Sequence, residues 1–214
     1  MNIKHAYAFL VERSPTIIGS ILETIYFLKR RSFCAPPKYV RKILFIKYLK
    51  NMDLIFESGT YLGRSTAIFS KIAKNVVTVE PDKALFNRAD KLFSNKSNIK
   101  VKNGFSTEFI TSQLTEAKSM GHNRVGFWLD GHSSDDNVAL HTGIAPLINE
   151  LQLIMHAKSD FKNVTILIDD MRYTTNLMQR NNGYPDIKLI YSILNENDFE
   201  YIMHFNILIA RFIK

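Results

Sequence analysis

Short apolar runs alternate with longer amphipathic segments through most of the chain after Asp53. Apolar runs of this length are typical of strands buried on both faces of a parallel sheet, with helices between them. The pattern predicts strands at Leu54–Glu57, Val76–Glu80, Ile99–Lys102, Val125–Leu129, Val164–Ile168, Tyr201–Met203 and Ile207–Phe212. It predicts helices at Ser65–Ala73, Lys83–Phe93, Thr107–Lys118, Ala139–His156 and Asp186–Asn195. The expected fold is α/β and Rossmann-like: a seven-stranded, mostly parallel sheet with helices on both faces and a terminal hairpin.

Two further segments with helical spacing precede this pattern. They run over Pro15–Leu28 and Tyr39–Leu49, and Pro36-Pro37 separates them. Since proline pairs interrupt helices, we predict two amphipathic helices rather than one. The chain is therefore divided into an N-terminal basic helical cap, residues 1–50, and a Rossmann-like domain, residues 51–214.

The charge of the chain is concentrated in this N-terminal region. The net charge is +8, and residues 29–50 hold eight basic side chains and no acidic one, so the 20 other basic residues match the 20 acidic residues. Such a segment either covers the domain or meets an anionic partner. The short extent of the charge and the absence of a nucleic-acid module motif predict no nucleic-acid partner. At most, we expect a weak contact of residues 29–50 with an anionic membrane surface.

The cellular compartment can be inferred only from patterns that the sequence lacks. Cys34 is the only cysteine, so no intrachain disulfide can form. The first ten residues lack the pattern of a signal peptide, and no apolar run is long enough to span a bilayer. We expect a cytoplasmic protein, and the sequence leaves its oligomeric state open.

A glycine-containing turn follows the first predicted strand. It reads Glu57-Ser58-Gly59-Thr60-Tyr61-Leu62-Gly63-Arg64-Ser65. Glycines at a strand-to-helix turn let a ligand approach the backbone, and the helix that follows offers free N–H groups. The second strand ends in Glu80-Pro81, an acid about twenty residues after the turn, which is the spacing that grips a ribose diol.

This spacing differs from that of the dinucleotide-binding fingerprint, because no G-x-G-x-x-G is present. It resembles the E-x-G-x-x-x-G motif of class I S-adenosylmethionine (SAM) methyltransferases. The resemblance implies that Glu57 lies near the amino acid part of SAM and that Glu80 binds its ribose. It also implies that Asn103-Gly104-Phe105-Ser106 borders the adenine, although many members of that class have an acid where Phe105 stands.

Three aspartates follow two other predicted strands. Asp130 ends the fourth strand, and Asp169-Asp170 follows the fifth. Because the carboxyl ends of parallel strands open into one crevice, these carboxylates should lie together, and their repulsion calls for a cation or a proton. Oxygen ligands favour Mg²⁺, then Mn²⁺ or Ca²⁺. We predict a metal site at Asp130, Asp169 and Asp170, with Asp130 also bordering the cofactor.

The same strand ends supply candidates for proton transfer and acceptor binding. His132 follows Asp130 by two residues and has an ordinary pKa near neutrality, which suits a base. His141 is the next candidate and is expected near the acceptor. Arg172 either clamps an anionic group of the acceptor or neutralises the aspartates.

These strand ends are similar to those of metal-dependent O-methyltransferases of the macrolide and cephamycin biosynthesis type. That resemblance implies SAM-dependent methylation of a hydroxylated small molecule, sugar or glycan precursor, with Mg²⁺ held by the aspartates and His132 and Asp130 in the catalytic site. The Asp169-Asp170 pair departs from the Glu-Asp pair that is frequent there. Two alternatives stay open: a non-catalytic SAM-binding or membrane-surface protein, and a Rossmann oxidoreductase.

Overall fold

The computed structural model describes residues 36–130, 146–174 and 184–214. Its strands are β1 Leu54–Ser58, β2 Asn75–Glu80, β3 Ile99–Asn103, β4 Arg124–Leu129, β5 Asn163–Ile168, β6 Glu200–His204 and β7 Ile207–Ile213. Its α-helices are α1 Lys38–Leu49, α2 Arg64–Ile72, α3 Lys83–Phe93, α4 Ser106–Ser119, α5 Leu147–Ala157 and α6 Ile187–Glu196. All seven predicted strands are confirmed, and each shifts by no more than one residue at either end. Two predicted segments, Pro15–Leu28 and the start of Ala139–His156, lie outside the described residues.

The seven strands form one sheet in the order β3-β2-β1-β4-β5-β7-β6. β1 to β5 are parallel, whereas β7 pairs antiparallel with both β5 and β6. The chain passes from β1 outward to β3 and then returns to β4 beside β1. Ligands of open α/β sheets bind where the strand order reverses in this way, so the carboxyl ends of β1 and β4 mark the expected crevice.

Helices cover both faces of the sheet. α4, α5 and α6 pack on one face, over Phe56, Phe127 and Ile166. α1, α2 and α3 pack on the other face, over Ile55, Trp128 and Leu167. The central strands are therefore apolar on both sides, which explains why their sequences show continuous apolar runs rather than alternation.

α1, from the predicted N-terminal cap, is part of the second helical layer. Leu44, Phe45 and Leu49 are buried, and the ring of Phe45 meets those of Phe69 and Trp128 at centroid distances of 4.7 Å. Phe45 and Trp128 pack edge to face, an arrangement that adds to the free energy of burial. None of the described helices has the length and hydropathy to cross a bilayer. The division at residue 50 stays a prediction.

Candidate cofactor and acceptor site

The turn after β1 folds back over the end of β2. The backbone N–H groups of Gly59 and Thr60 both donate to the carbonyl oxygen of Val79, at 3.0 and 3.1 Å. Gly63 has a φ of 73°, and a Cβ atom at this position would lie 2.8 Å from the ring of Phe93. A side chain at residue 63 would therefore collide with α3, which gives a physical reason for glycine here.

Glu80, the last residue of β2, lies against this turn. It is buried, and its two carboxylate oxygens accept hydrogen bonds from the backbone N–H groups of Tyr61 and Asp82, at 2.7 and 3.0 Å. A carboxylate has about four acceptor positions, so each oxygen can still accept a hydroxyl hydrogen. The group is thus held rigidly at the carboxyl edge of the sheet, as a ribose ligand requires. The adjoining Pro81 is exposed.

Glu57 is fully buried and holds the start of α2. The hydroxyl groups of Ser65 and Thr66 donate to its two oxygens. Burial raises its pKa from the ordinary value of 4.5 to about 7, against the opposing effect of these hydrogen bonds. These hydrogen bonds hold the start of α2 next to the end of β1. The closeness of Glu57 to the amino acid part of SAM stays a prediction.

The loop after β3 forms the next wall of the crevice. The side-chain amide of Asn103 donates to the carbonyl oxygen of Glu80 at 2.9 Å, which ties this loop to the end of β2. Gly104 has a φ of 144°, Phe105 is 45% exposed, and Ser106 is buried. The ring of Phe105 is exposed, so an adenine at the predicted position could pack on an apolar face here, where many members of the class have an acid.

The three aspartates converge as predicted. Asp130 follows β4, and burial, then the charge of Asp169, raises its pKa well above the ordinary value. Burial also raises the pKa of Asp169, to about 6. Asp170 has a φ of 56°, in the left-handed region that aspartate tolerates better than most residues other than glycine.

Two arginines provide the positive charge that these aspartates require. Arg41 of α1 pairs with Asp169 (Nη2–Oδ2, 3.2 Å), and Arg172 pairs with Asp170 (Nη2–Oδ1, 2.9 Å). Arg172 therefore neutralises an aspartate, one of the two roles considered for it. Arg41 also lies over the ring of Trp128, at 5.7 Å from its centroid. The sequence pattern did not identify Arg41 as part of the site.

The predicted Mg²⁺ site at Asp130, Asp169 and Asp170 is not supported. One oxygen of Asp169 and one oxygen of Asp170 each pair with a guanidinium group, which supplies positive charge without a metal. Within the described ranges, no group of three acidic, histidine or cysteine side chains could hold a metal ion. His132 and His141, the predicted base and acceptor contact, lie outside the described residues.

Asn206, in the turn between β6 and β7, holds the loop after β5. It is 1% exposed; its side-chain amide donates to Asp170 Oδ1 at 2.8 Å and its side-chain carbonyl accepts from the backbone N–H of Arg172 at 2.7 Å. Tyr184 is also near the aspartates: burial, then the charges of Asp170 and Asp130, raises the pKa of its phenol. Sequence reasoning missed both residues, since neither belongs to a motif.

Comparison with known proteins now adds to this geometry. A family model described as ribosomal RNA adenine dimethylase matches residues 2–132, which is more than half of the chain. The chain belongs to this family. Comparison with curated protein sequences gives no match.

Solved structures agree on the fold of this ribosomal RNA adenine dimethylase family member. A methyltransferase from Geobacter sulfurreducens has a TM-score of 0.54 and 12% identity, covering 100% of this chain and 98% of that one. The N-methyltransferase NodS from Bradyrhizobium japonicum has a TM-score of 0.53 and 12% identity, covering 83% of this chain and 96% of that one. The predicted class I methyltransferase fold is confirmed, and the protein is a SAM-dependent methyltransferase.

Two expectations change with the family. The resemblance to metal-dependent O-methyltransferases does not identify the family, because the matching model is a different one. The expectation of no nucleic-acid partner is wrong, since this family is named for a reaction on ribosomal RNA. It rested on the absence of a separate nucleic-acid module, but the match covers the first four strands of the catalytic fold itself.

The placement of SAM predicts a clear effect at Glu80. We expect Glu80→Ala to weaken SAM binding by about 1.5 to 3 kcal/mol, the range for hydrogen bonds to a charged group. Asp82→Ala, which removes only the N-cap of α3, should keep the affinity of the parent. Calorimetry with both variants makes the comparison, and unchanged affinity in Glu80→Ala would rule out the ribose contact.

Glu57 predicts an unusual dependence of stability on pH. Because the folded state raises its pKa from 4.5 to about 7, its stabilising contribution is complete below the unfolded pKa and is lost as the pH rises through 7. Glu57→Gln stays neutral, although it loses one acceptor oxygen, so its free energy of unfolding should fall less steeply than that of the parent as the pH rises above 7. Urea unfolding at several pH values tests this, with Glu200→Gln on exposed β6 as the control; parallel pH profiles for Glu57→Gln and the parent would contradict it.

Proposed function

We propose that the protein methylates the exocyclic amino group of adenine in ribosomal RNA. The observation that carries this proposal is the match of the adenine dimethylase family to residues 2–132, which contain β1 to β4, the cofactor turn and Asp130. The geometry supports it: a carboxylate at the end of β4 can accept a hydrogen bond from an amino group and so direct the nitrogen lone pair.

The chain offers groups suited to each part of an RNA substrate. A base must leave its stack to reach a buried site, and aromatic rings hold such bases. Tyr173 and Tyr184 form a ring pair, with centroids 5.2 Å apart, beside the aspartates. The exposed lysines of α1 can meet phosphates, and the ion pair between Arg41 and Asp169 places the first turn of this helix at the same edge of the sheet.

The reaction is a direct displacement. When bound, SAM would supply an electrophilic methyl group: its bond to sulfur would break as the N–C bond forms, the demethylated cofactor would leave, and the proton of the amino group would pass to solvent. The contribution of the chain is alignment: Glu80 fixes the cofactor, Asp130 orients the amino group, and Arg41 and Arg172 balance the charge of the aspartates. Alignment of this kind accounts for much of the acceleration of a two-substrate reaction.

A second candidate is methylation of a hydroxyl oxygen, assisted by a divalent ion. One observation favours it: Asp130, Asp169 and Asp170 lie close together at the carboxyl edge of the sheet, and carboxylates there suit both a hard cation and the acceptance of a hydroxyl proton.

A single experiment separates the two candidates. Ribosomal RNA transcripts and a panel of hydroxylated small molecules are incubated with labelled SAM, with and without excess chelator, and the products are digested and identified. Methylated adenine formed in the presence of chelator supports the proposal. Methyl ethers that are lost on chelation favour the second candidate, and transfer to small molecules alone would overturn the first.

A further inference from the structure

Glu150 is a buried acid for which neither the cofactor motifs nor the acceptor site gives a role. It lies in the first turn of α5 and is 2% exposed, between the fully buried Leu147 and Leu151. Burying a carboxyl group carries a large desolvation cost, and proteins keep such groups mainly where they hold polar partners. Its partners therefore indicate its role.

The side chain of Glu150 accepts two hydrogen bonds from the cofactor loops. Ser58 donates to Glu150 Oε1 at 2.6 Å, and Ser106 donates to the same oxygen. Ser58 is the last residue of β1, directly before the turn that begins at Gly59, and Ser106 is the first residue of α4, directly after Phe105. One buried oxygen thus joins two loops at the carboxyl edge of the sheet.

We infer that Glu150 is a positioning residue of the cofactor site, which sets the spacing between the turn after β1 and the loop after β3 through Ser58 and Ser106. The inference rests on the cofactor placement proposed above, in which the first loop meets the amino acid part of SAM and the second meets its adenine. Burial raises the pKa of Glu150, which favours the neutral form, so a glutamine can reproduce its acceptor oxygen.

Two substitutions test the inference. Glu150→Leu keeps the volume but removes the acceptor for both serines, and we expect it to weaken SAM binding roughly ten-fold, the net size of about one hydrogen bond. Glu150→Gln retains an acceptor and should stay within about two-fold of the parent. Calorimetric titration of SAM gives the affinity, and thermal melting gives the stability of each variant.

The controls separate positioning from general stability. Ile154→Ala empties a buried position one turn further along α5, so it should lower the melting temperature and leave SAM affinity unchanged. Ser106→Ala removes one of the two hydrogen bonds and should weaken binding in part, even if Glu150→Leu does not fold. Parent-like affinity in Ser106→Ala, or in a folded Glu150→Leu, would overturn the inference, as would losses that merely follow the melting temperature. Failure of the cofactor placement is recognised separately, by parent-like affinity in Glu80→Ala.

Discussion

Replacing Asp130 with alanine should lower the rate of methyl transfer by about 10²- to 10⁴-fold, the usual contribution of a positioned polar group at the reacting atoms. The reason is its position directly after β4 and beside β1, where the strand order reverses. Asp130 is also predicted to border the cofactor, so SAM affinity is measured in the same variant. A loss of rate at saturating SAM then belongs to the transfer step.

Asparagine at this position distinguishes two roles of the carboxyl group. Asp130→Asn keeps a carbonyl oxygen that accepts a hydrogen bond from an amino group, but it cannot take a proton. If Asp130 orients an adenine amino group, the asparagine variant should retain much more activity than the alanine variant. If Asp130 is a base, both should be equally slow. Asp160→Ala, before β5 and so at the amino end of the strands, serves as the control. Full activity in Asp130→Ala would contradict both roles.

The second large effect is expected on the exposed face of α1. Lys38 and Lys42, in its first turn beside Arg41, face solvent near the carboxyl edge of the sheet. Each phosphate contact contributes about 0.7 to the slope of log affinity against log salt for single-stranded nucleic acid. Replacing both with glutamine should therefore reduce the slope by up to about 1.4 and weaken binding to a ribosomal RNA transcript on the order of 10-fold near physiological salt.

A matched variant tests whether position matters or only net charge. Lys71 and Lys162 are also exposed, but they lie at the amino ends of the strands, away from the crevice. Their replacement with glutamine changes the charge equally and should leave most of the RNA affinity. Titrations by fluorescence anisotropy over a range of salt concentrations give both slopes. Equal losses in the two variants would show that α1 is not the RNA-binding face.

The sequence predicted the sheet well because each strand carries its own signal. Strands buried on both faces are mainly apolar, and the turns between them are polar, so β1, β2, β4 and β5 could be located without any tertiary information. β3 lies at the edge of the sheet and shows alternation instead. The ends of β1 and β2 could be located too, because Gly59, Gly63 and Glu80 have a spacing typical of nucleoside-binding turns.

The partners of these residues could not be predicted in the same way. Arg41 and Asn206 are distant in sequence from Asp169 and Asp170, and only the packing of α1 and of the β6–β7 turn brings them close. The expected repulsion among the aspartates was right, but the cation that answers it was taken to be a metal. Glu150 did leave a signal, since it is an acid on the apolar side of a predicted helix.

The position of α1 has a consequence for the order of folding. The hydroxyl oxygen of Tyr48, in α1, lies 3.0 Å from Nε2 of His204. The helix also shares a buried cluster with Ile207 and Ile209, about 160 residues further along the chain. During synthesis α1 leaves the ribosome before any strand of the sheet, yet the surface that it covers is complete only once β7 has emerged. Contacts of such high order form late. A nascent chain halted before β7 would therefore hold α1 without its full docking surface, exposing Phe45 and its apolar neighbours to chaperones or to aggregation.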